Sequence, residues 1–218
     1  PVLVLIFGIV IFPAGYMIYS STRRISQAGT NVEGVGLANF QTVFTDPNLP
    51  RILLNTVVWV AVVVTLTVII SLALANFLNK PFPGRTLVRM AVVVPWAASV
   101  VMTTTVFYYG LDRDYGIINK FLGMLGIGPL PLIRNAGAVI LGMVYNYLPY
   151  MILPLYSTIV KIDNRLIEAA WDLGCTPAQT FTKVVLPLSM PGILSGITMV
   201  FVPAVSTFYI SQKLGGTD

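Results

Sequence analysis

The sequence predicts an all-α protein, a polytopic bundle of membrane-spanning helices. Three observations carry this. Of the 218 residues, 56% are hydrophobic and 10% are charged, less than half the roughly 25% charged content of an ordinary soluble domain. The mean hydropathy is +0.83. Apolar runs of about 20 residues, the length that crosses a hydrocarbon core about 30 Å thick, recur along the chain, and the basic residues gather between them.

Five spans can be marked: residues 2–20, 53–78, 88–111, 136–160 and 184–210. The first holds Pro13 and Gly15, and the second is free of charge. The third has Pro95 and Trp96 near its start. The fourth carries Pro149 and Pro154, and the fifth Pro187, Pro191 and Pro203. Neighbouring helices can satisfy the carbonyls that proline frees, so such kinks are compatible with a bundle. In the loop 21–52, Leu37 to Phe44 reads as a short surface helix closed by Asp46-Pro47. The chain begins at Pro1 and stops just after an apolar run, so both ends are expected to be cut from a longer chain.

Loops 21–52, 112–135 and 211–218 fall on one side and loops 79–87 and 161–183 on the other. Positive charge does not tell the sides apart, with seven Lys and Arg against six when Arg89, just inside the third span, is counted with the second side, although the loops of that side are shorter. The net charge of +5 is therefore read as membrane-flanking charge, not as a nucleic-acid surface. Cys175 is the one cysteine, so no intrachain disulfide can form.

Several classes are excluded. No G-x-x-x-x-G-K-[ST] stretch can cradle nucleotide phosphates. Histidine is absent, and no Asp or Glu lies in the marked spans, which disfavours an ion-coupled carrier. Asp112 and Asp114 sit at a span end as solvated charges, and Cys175 has no His to activate it. No catalytic or metal-ligating constellation emerges. A non-transporting membrane anchor remains as the rival of a different class.

The stretch 161–187 carries the most information. Asp163-Asn164 can cap a short helix whose Leu166, Ile167, Ala170 and Leu173 form an apolar stripe. Gly174 permits a turn that a side chain would resist. Thr176 and Pro177 then restart a helix as cap and first residue. Pro187 is expected where this second helix meets the membrane. A structured loop of this length between spans suits docking onto a partner, or alternatively rests in the headgroups.

Glu168, Ala169, Ala170 and Gly174, followed by Val184, Leu186 and Pro187, fill in order the positions of the signature loop of ABC-importer permeases, with Val184 where Ile is usual. The chain resembles that family. The resemblance implies a type I ABC-importer permease fold with a sixth span after residue 218. It makes 161–187 a cytoplasmic coupling loop in which Glu168, Ala169, Ala170, Asp172, Gly174, Leu186 and Pro187 couple the bundle to a separate ATPase. It further implies two ATPase subunits that bind ATP and Mg in place of this chain, a second permease subunit, and an extracytoplasmic substrate-binding protein, all at the cytoplasmic membrane.

Residues 128–216 resemble the spermidine/putrescine permease type, through Leu148 to Ser157, Leu186 to Ile193 and Phe208 to Ser211. Residues 53–126 resemble the carbohydrate type, through Asn55-Thr56, Phe82 to Arg85, Pro95-Trp96 and Asp114 to Asn119. The resemblance leans to a polyamine substrate, with carbohydrate as the alternative. Polar residues within the spans mark the candidate substrate path: Thr104, Tyr108, Tyr145, Asn146, Ser206 and Tyr209. Each has an ordinary alternative, since threonine bonds back to its own helix and tyrosine marks the interface belt. Asn146 is the sharpest, because its amide needs partners where few exist.

Overall fold

A computed structural model describes residues 2–26, 31–207 and 209–215. Pro1, residues 27–30, Phe208 and residues 216–218 lie outside the described residues, as do the side chains of Asn31, Val32, Val94, Pro95 and Trp96. The chain packs as two compact units, 1–56 and 57–218.

The first unit opens with α1 (Val2–Ser21), 20 residues of mean hydropathy 2.4 whose most apolar window is 0% buried by the rest of the chain. Its stretch Ile6–Ile11 is wound as a π-helix. A two-stranded antiparallel hairpin follows, β1 (Arg23–Ile25) and β2 (Asn31–Gly34), with Arg23 opposite Gly34 and a bulge between Arg24 and Ile25. The sequence pattern shows this loop only as polar and Gly-rich, because two strands this short carry no readable alternation. The expected surface helix is present as α2 (Ala38–Phe44). Asn39 ties it down, its Nδ2 donating to the carbonyls of Ser21 at 2.8 Å and Arg23 at 3.0 Å.

The second unit is built around α7 (Ala136–Ile159). Before it come α3 (Leu49–Asn79), α4 (Arg85–Ala97), α5 (Val100–Gly110) and α6 (Ile117–Met124). After it come α8 (Asn164–Asp172), α9 (Pro177–Ser206) and α10 (Tyr209–Gly215). In α7, 61% of the most apolar window is buried inside the chain, against 22% in α3 and 33% in α9. So α7 is the core helix, and its neighbours keep apolar faces free for lipid or another chain.

Two apolar clusters divide the unit along its length. One gathers Val63 of α3, Met143, Tyr147 and Met151 of α7, Val200 of α9 and Ile210 and Leu214 of α10. The other gathers Ala75 and Leu78 of α3, Ile152, Leu155 and Ile159 of α7 and Ile193 of α9, with Phe82, Val88 and Val92 packed against it. Helix α9 runs antiparallel to α7 and nearly touches it. A Cβ on Gly192 would sit 3.0 Å from the Leu155 Cα, and one on Gly196 would sit 2.3 Å from the Met151 Sδ and 3.3 Å from its Cα. Two glycines four residues apart thus form a flat strip against which the α7 backbone lies, the geometry small residues provide between membrane helices.

Three expectations about the spans are corrected. The third span, 88–111, is not one helix: α4 ends at Ala97 and α5 begins at Val100. The helix runs through Pro95 and gives way at Ala98, and Ser99 turns extended (φ −63°, ψ 139°). Its carbonyl starts α5 by accepting Thr103 N–H at 2.9 Å. Four helices, not five, are long and apolar enough to cross a membrane among the described residues. The fifth span and the second loop helix are a single helix, α9, of 30 residues. Pro187 is not a boundary: a π-turn at Phe181–Val185 precedes it and the helix runs on. The span ends at Ser206, four residues before the expected 210, because Thr207 leaves the helix at ψ 117°.

Candidate coupling loop and substrate path

The loop 161–187 leaves the end of α7 and returns through the start of α9. Asp163 caps α8, its Oδ1 accepting Arg165 N–H at 3.0 Å. At the other end Gly174 takes φ +81°. There Cys175 N–H bonds the Ala170 carbonyl at 2.9 Å and Gly174 N–H bonds that of Trp171 at 2.8 Å. This pair of bonds is a Schellman motif, which closes a helix on a left-handed residue. The next helix opens at once with a capping box. Thr176 Oγ1 accepts from Gln179 N–H at 3.4 Å, Gln179 Oε1 accepts from Thr176 N–H at 2.9 Å, and Pro177 is the first helical residue. The Gly joint, the Thr cap and the Pro start were legible in sequence. The return bond from Gln179 was not singled out, although the pattern Thr-x-x-Gln carries it.

The expected apolar stripe is only half used. Ala170 is buried and Ile167 half-buried, but Leu166 is 48% and Leu173 85% exposed, beside Trp171 at 54%. Glu168, Ala169 and Asp172 are exposed, Leu186 is half-buried and Pro187 exposed. A cavity of about 440 Å³ separates the loop from the end of α3, with Asn76, Asn79 and Lys80 on one wall and Glu168, Trp171 and Phe181 on the other. A loop with two capped helices, an exposed apolar edge and space behind it can dock outward and shift as a body.

The substrate-path candidates do not converge on one site. Thr104 is buried, and its hydroxyl bonds back to the Val100 carbonyl at 2.7 Å. Asn146 is 5% exposed, and its amide finds its partner within its own helix, the Gly142 carbonyl at 2.8 Å. Ser206 is exposed and bonds back to the Val202 carbonyl at 3.0 Å. Tyr108 is half-buried with the Lys213 ammonium 4.6 Å over its ring. Tyr209 is half-buried on α10. Tyr145 is 38% exposed, packs edge-on against Phe107 at 5.0 Å, and lines with it and Thr103 a mostly apolar pocket of about 340 Å³. Of the six, Tyr145 alone lines that pocket.

Two polar features carry more structure than the candidates do. Tyr147 is 2% exposed, and its hydroxyl lies 3.0 Å from the Pro203 carbonyl and 2.6 Å from Thr207 Oγ1. It therefore fastens α7 to the point where α9 ends. Asn119 is 6% exposed and spans its loop, donating to the carbonyls of Asp112 and Leu130 and accepting Leu130 N–H, each at 3.0 Å. Asp112 Oδ1 accepts the N–H groups of Tyr115 and Asp114. Those bonds, in that order, hold its carboxyl below the usual carboxylate range, and Arg134 helps weakly.

Comparison with known proteins agrees with this architecture. Residues 1–217 match the family described as binding-protein-dependent transport system inner membrane component. The spermidine/putrescine transport system permease protein PotB of Escherichia coli (strain K12) is 34% identical over 213 residues, 94% of this chain and 76% of that protein. The sulfoquinovosyl glycerol transport system permease protein SmoG of Agrobacterium fabrum is 25% identical over 221 residues, 99% of this chain and 72% of that one. Among solved structures, that of a bacterial ABC transporter involved in the import of the acidic polysaccharide alginate superposes with a TM-score of 0.75 at 17% identity, covering 95% of this chain and 71% of that chain.

Proposed function

The chain belongs to the family of binding-protein-dependent transport system inner membrane components, and from that premise we propose that it is the permease of an ATP-driven importer for a polyamine of the spermidine or putrescine kind. The polyamine reading rests on the similarity to the polyamine permease, which exceeds that to the permease of a glycosylated substrate. An imported carbohydrate is the second reading, and the aromatic pocket of Tyr145 and Phe107, able to stack on a sugar ring, favours it.

The mechanism follows from the loop. One observation carries it: two separately capped helices meet at Gly174, and the second is continuous with a span. Residues 161–187 face the cytoplasm and dock on an ATPase subunit through the exposed Leu173 and Trp171. Glu168 and Gly174 are the central coupling residues, with Ala169, Ala170, Asp172, Leu186 and Pro187 shaping the loop around them. The assembly contains two ATPase subunits, which bind ATP and Mg, a second permease subunit and an extracytoplasmic substrate-binding protein. Closure of the ATPases pushes α8 and swings α9 against α7, opening the bundle to one side and then the other.

The unique thiol provides the test. Cys175 is half-buried in the joint. A membrane-impermeant maleimide is expected to label it in inverted vesicles and not in intact cells, and less so when the ATPase is bound. Gly174→Pro, whose fixed φ cannot reach the left-handed region, is expected to abolish putrescine uptake and ATPase stimulation while membrane insertion survives. Labelling of Cys175 from the outside, or normal uptake by Gly174→Pro, refutes the coupling role. Uptake of a disaccharide but not of putrescine moves the assignment to the second reading.

A further inference from the structure

The end of the bundle that carries the 161–187 loop also carries a polar cluster that transport leaves unused. Arg85 opens α4 and Arg89 follows one turn later. Both reach Tyr156 on α7: Arg85 Nη2 donates to the phenol oxygen at 2.6 Å, and Arg89 Nη2 donates to the same oxygen. The Arg89 guanidinium also lies 4.9 Å over the Tyr156 ring. A phenol oxygen has two lone pairs and one hydrogen. With both lone pairs taken by arginines, its O–H is left to donate elsewhere.

The cluster is thus made of donors only. Arg85 Nε is sealed from solvent and meets no acceptor. No carboxylate bonds either arginine among the described residues. Arg85 is half-buried and Arg89 exposed, so two positive charges stand together at the surface with no counter-charge bonded to them, an arrangement that attracts an anion. Tyr156 lies in the last turn of α7, a helix long and apolar enough to cross a membrane, which puts the cluster at the level of the headgroups.

The geometry points to a binding site for a phosphate-ester anion at Arg85, Arg89 and Tyr156. Two guanidinium forks and a phenol O–H match the several acceptor oxygens of a phosphate. Arg85 stands in the first turn of α4, the positive end of that helix's dipole. A phospholipid headgroup is the source that the position favours, because the cluster lies at the end of a membrane-length helix, where lipid phosphates are concentrated. The site stands whichever solute the bundle carries.

The test uses the permease purified with the subunits that co-elute, in nanodiscs of phosphatidylcholine containing a minor share of phosphatidylglycerol. Retained lipids are identified by native mass spectrometry. The wild type is expected to keep phosphatidylglycerol, and Arg85→Gln/Arg89→Gln to keep about tenfold less or lower still, as expected from losing charge-assisted hydrogen bonds. Arg89→Lys, which keeps the charge and folds without a lost cation, is expected to fall between them. In discs of phosphatidylcholine alone, ³¹P line broadening by inorganic phosphate forms the second arm. Broadening lost in the same variants, without any phosphatidylglycerol preference, keeps the anion site and makes its occupant soluble. Unchanged lipid retention and unchanged broadening in monodisperse Gln variants overturn the proposal. So does release of a partner subunit with lipid retention intact, since the occupant is then an acidic side chain of another protein.

Discussion

Gly174 and Gly196 both have to be glycine, for different reasons. Gly174 sits at φ +81° with open space around it, so an added side chain costs backbone strain, about 1 kcal/mol for alanine. Gly196 has ordinary dihedrals but no room, with the Met151 backbone 3.3 Å from where its Cβ would stand. Gly196→Val is therefore expected to separate α7 from α9 and cost about 1–3 kcal/mol, the usual penalty of overpacking. A fall in thermal stability in detergent that Gly174→Ala does not match would show it. Gly174 was legible because it follows an amphipathic run and precedes Thr-Pro. The role of Gly196 was not, since only the facing helix explains it. Asn146 shows the opposite limit: a lone amide in a span looks functional in sequence, yet the Gly142 carbonyl one turn back satisfies it. Asp112 makes a prediction in pH. Its carboxyl is held below its ordinary value by the Tyr115 and Asp114 amides, so the turn is firm above the usual carboxylate range and loosens as pH falls through the lowered value. Protection of the 114 and 115 amides, measured as exchange relative to the intrinsic rate at each pH, is expected to fall as pH drops through that lowered value. Asp112→Asn, which keeps the acceptor oxygen and loses the charge, should remove that pH dependence.

Among the elements, the loop 161–187 was read most fully from sequence because capping chemistry is local. Asp163, Gly174, Thr176 and Pro177 each act on bonds within five residues. Thr176→Ala removes one side of the capping box and is expected to cost about 1 kcal/mol. Limited proteolysis at the joint should quicken while the spans stay intact. The broken third span was misread because hydropathy is continuous across Ala98-Ser99, and only the backbone registers the interruption. The same holds for α9, where prolines at 187, 191 and 203 suggest interruptions that a π-turn and the neighbouring α7 absorb. Tyr147 supplies part of that support at Pro203. Tyr147→Phe is expected to cost about 0.5–1.5 kcal/mol and to raise hydrogen exchange around Thr207.

Across the whole molecule, composition together with the recurring apolar runs predicted an all-α membrane bundle, and no pattern in the sequence could show how its surfaces are shared. Helix α1 buries none of its apolar window within the chain, and α3 and α9 bury less than half of theirs. In lipid these faces need no cover, so exposure that would signal aggregation in water is here neutral. The two-stranded hairpin and the Asn119 clamp lie in the polar loops, where register and long-range bonds decide the structure and periodicity is too short to read. The split of polyamine and carbohydrate likeness between two halves, expected from sequence, is not what the comparisons show: the similarity to PotB covers 94% of the chain and that to SmoG 99%.

The close approach at Gly192 and Gly196 makes α9 a lever. About 17 residues separate the midpoint of that contact, Leu194, from Pro177, and about 12 separate it from Ser206, or some 26 Å and 18 Å at 1.5 Å per residue. A rod pressed against its neighbour near the middle cannot move both ends the same way. A push that carries the loop end outward must carry the Ser206 end inward, by roughly two-thirds as much. Spin labels pairing Ala178 and Val205 with fixed points on α7 should report distance changes of opposite sign in that ratio when nucleotide is added. Changes of the same sign would mean that the helix slides instead of pivoting.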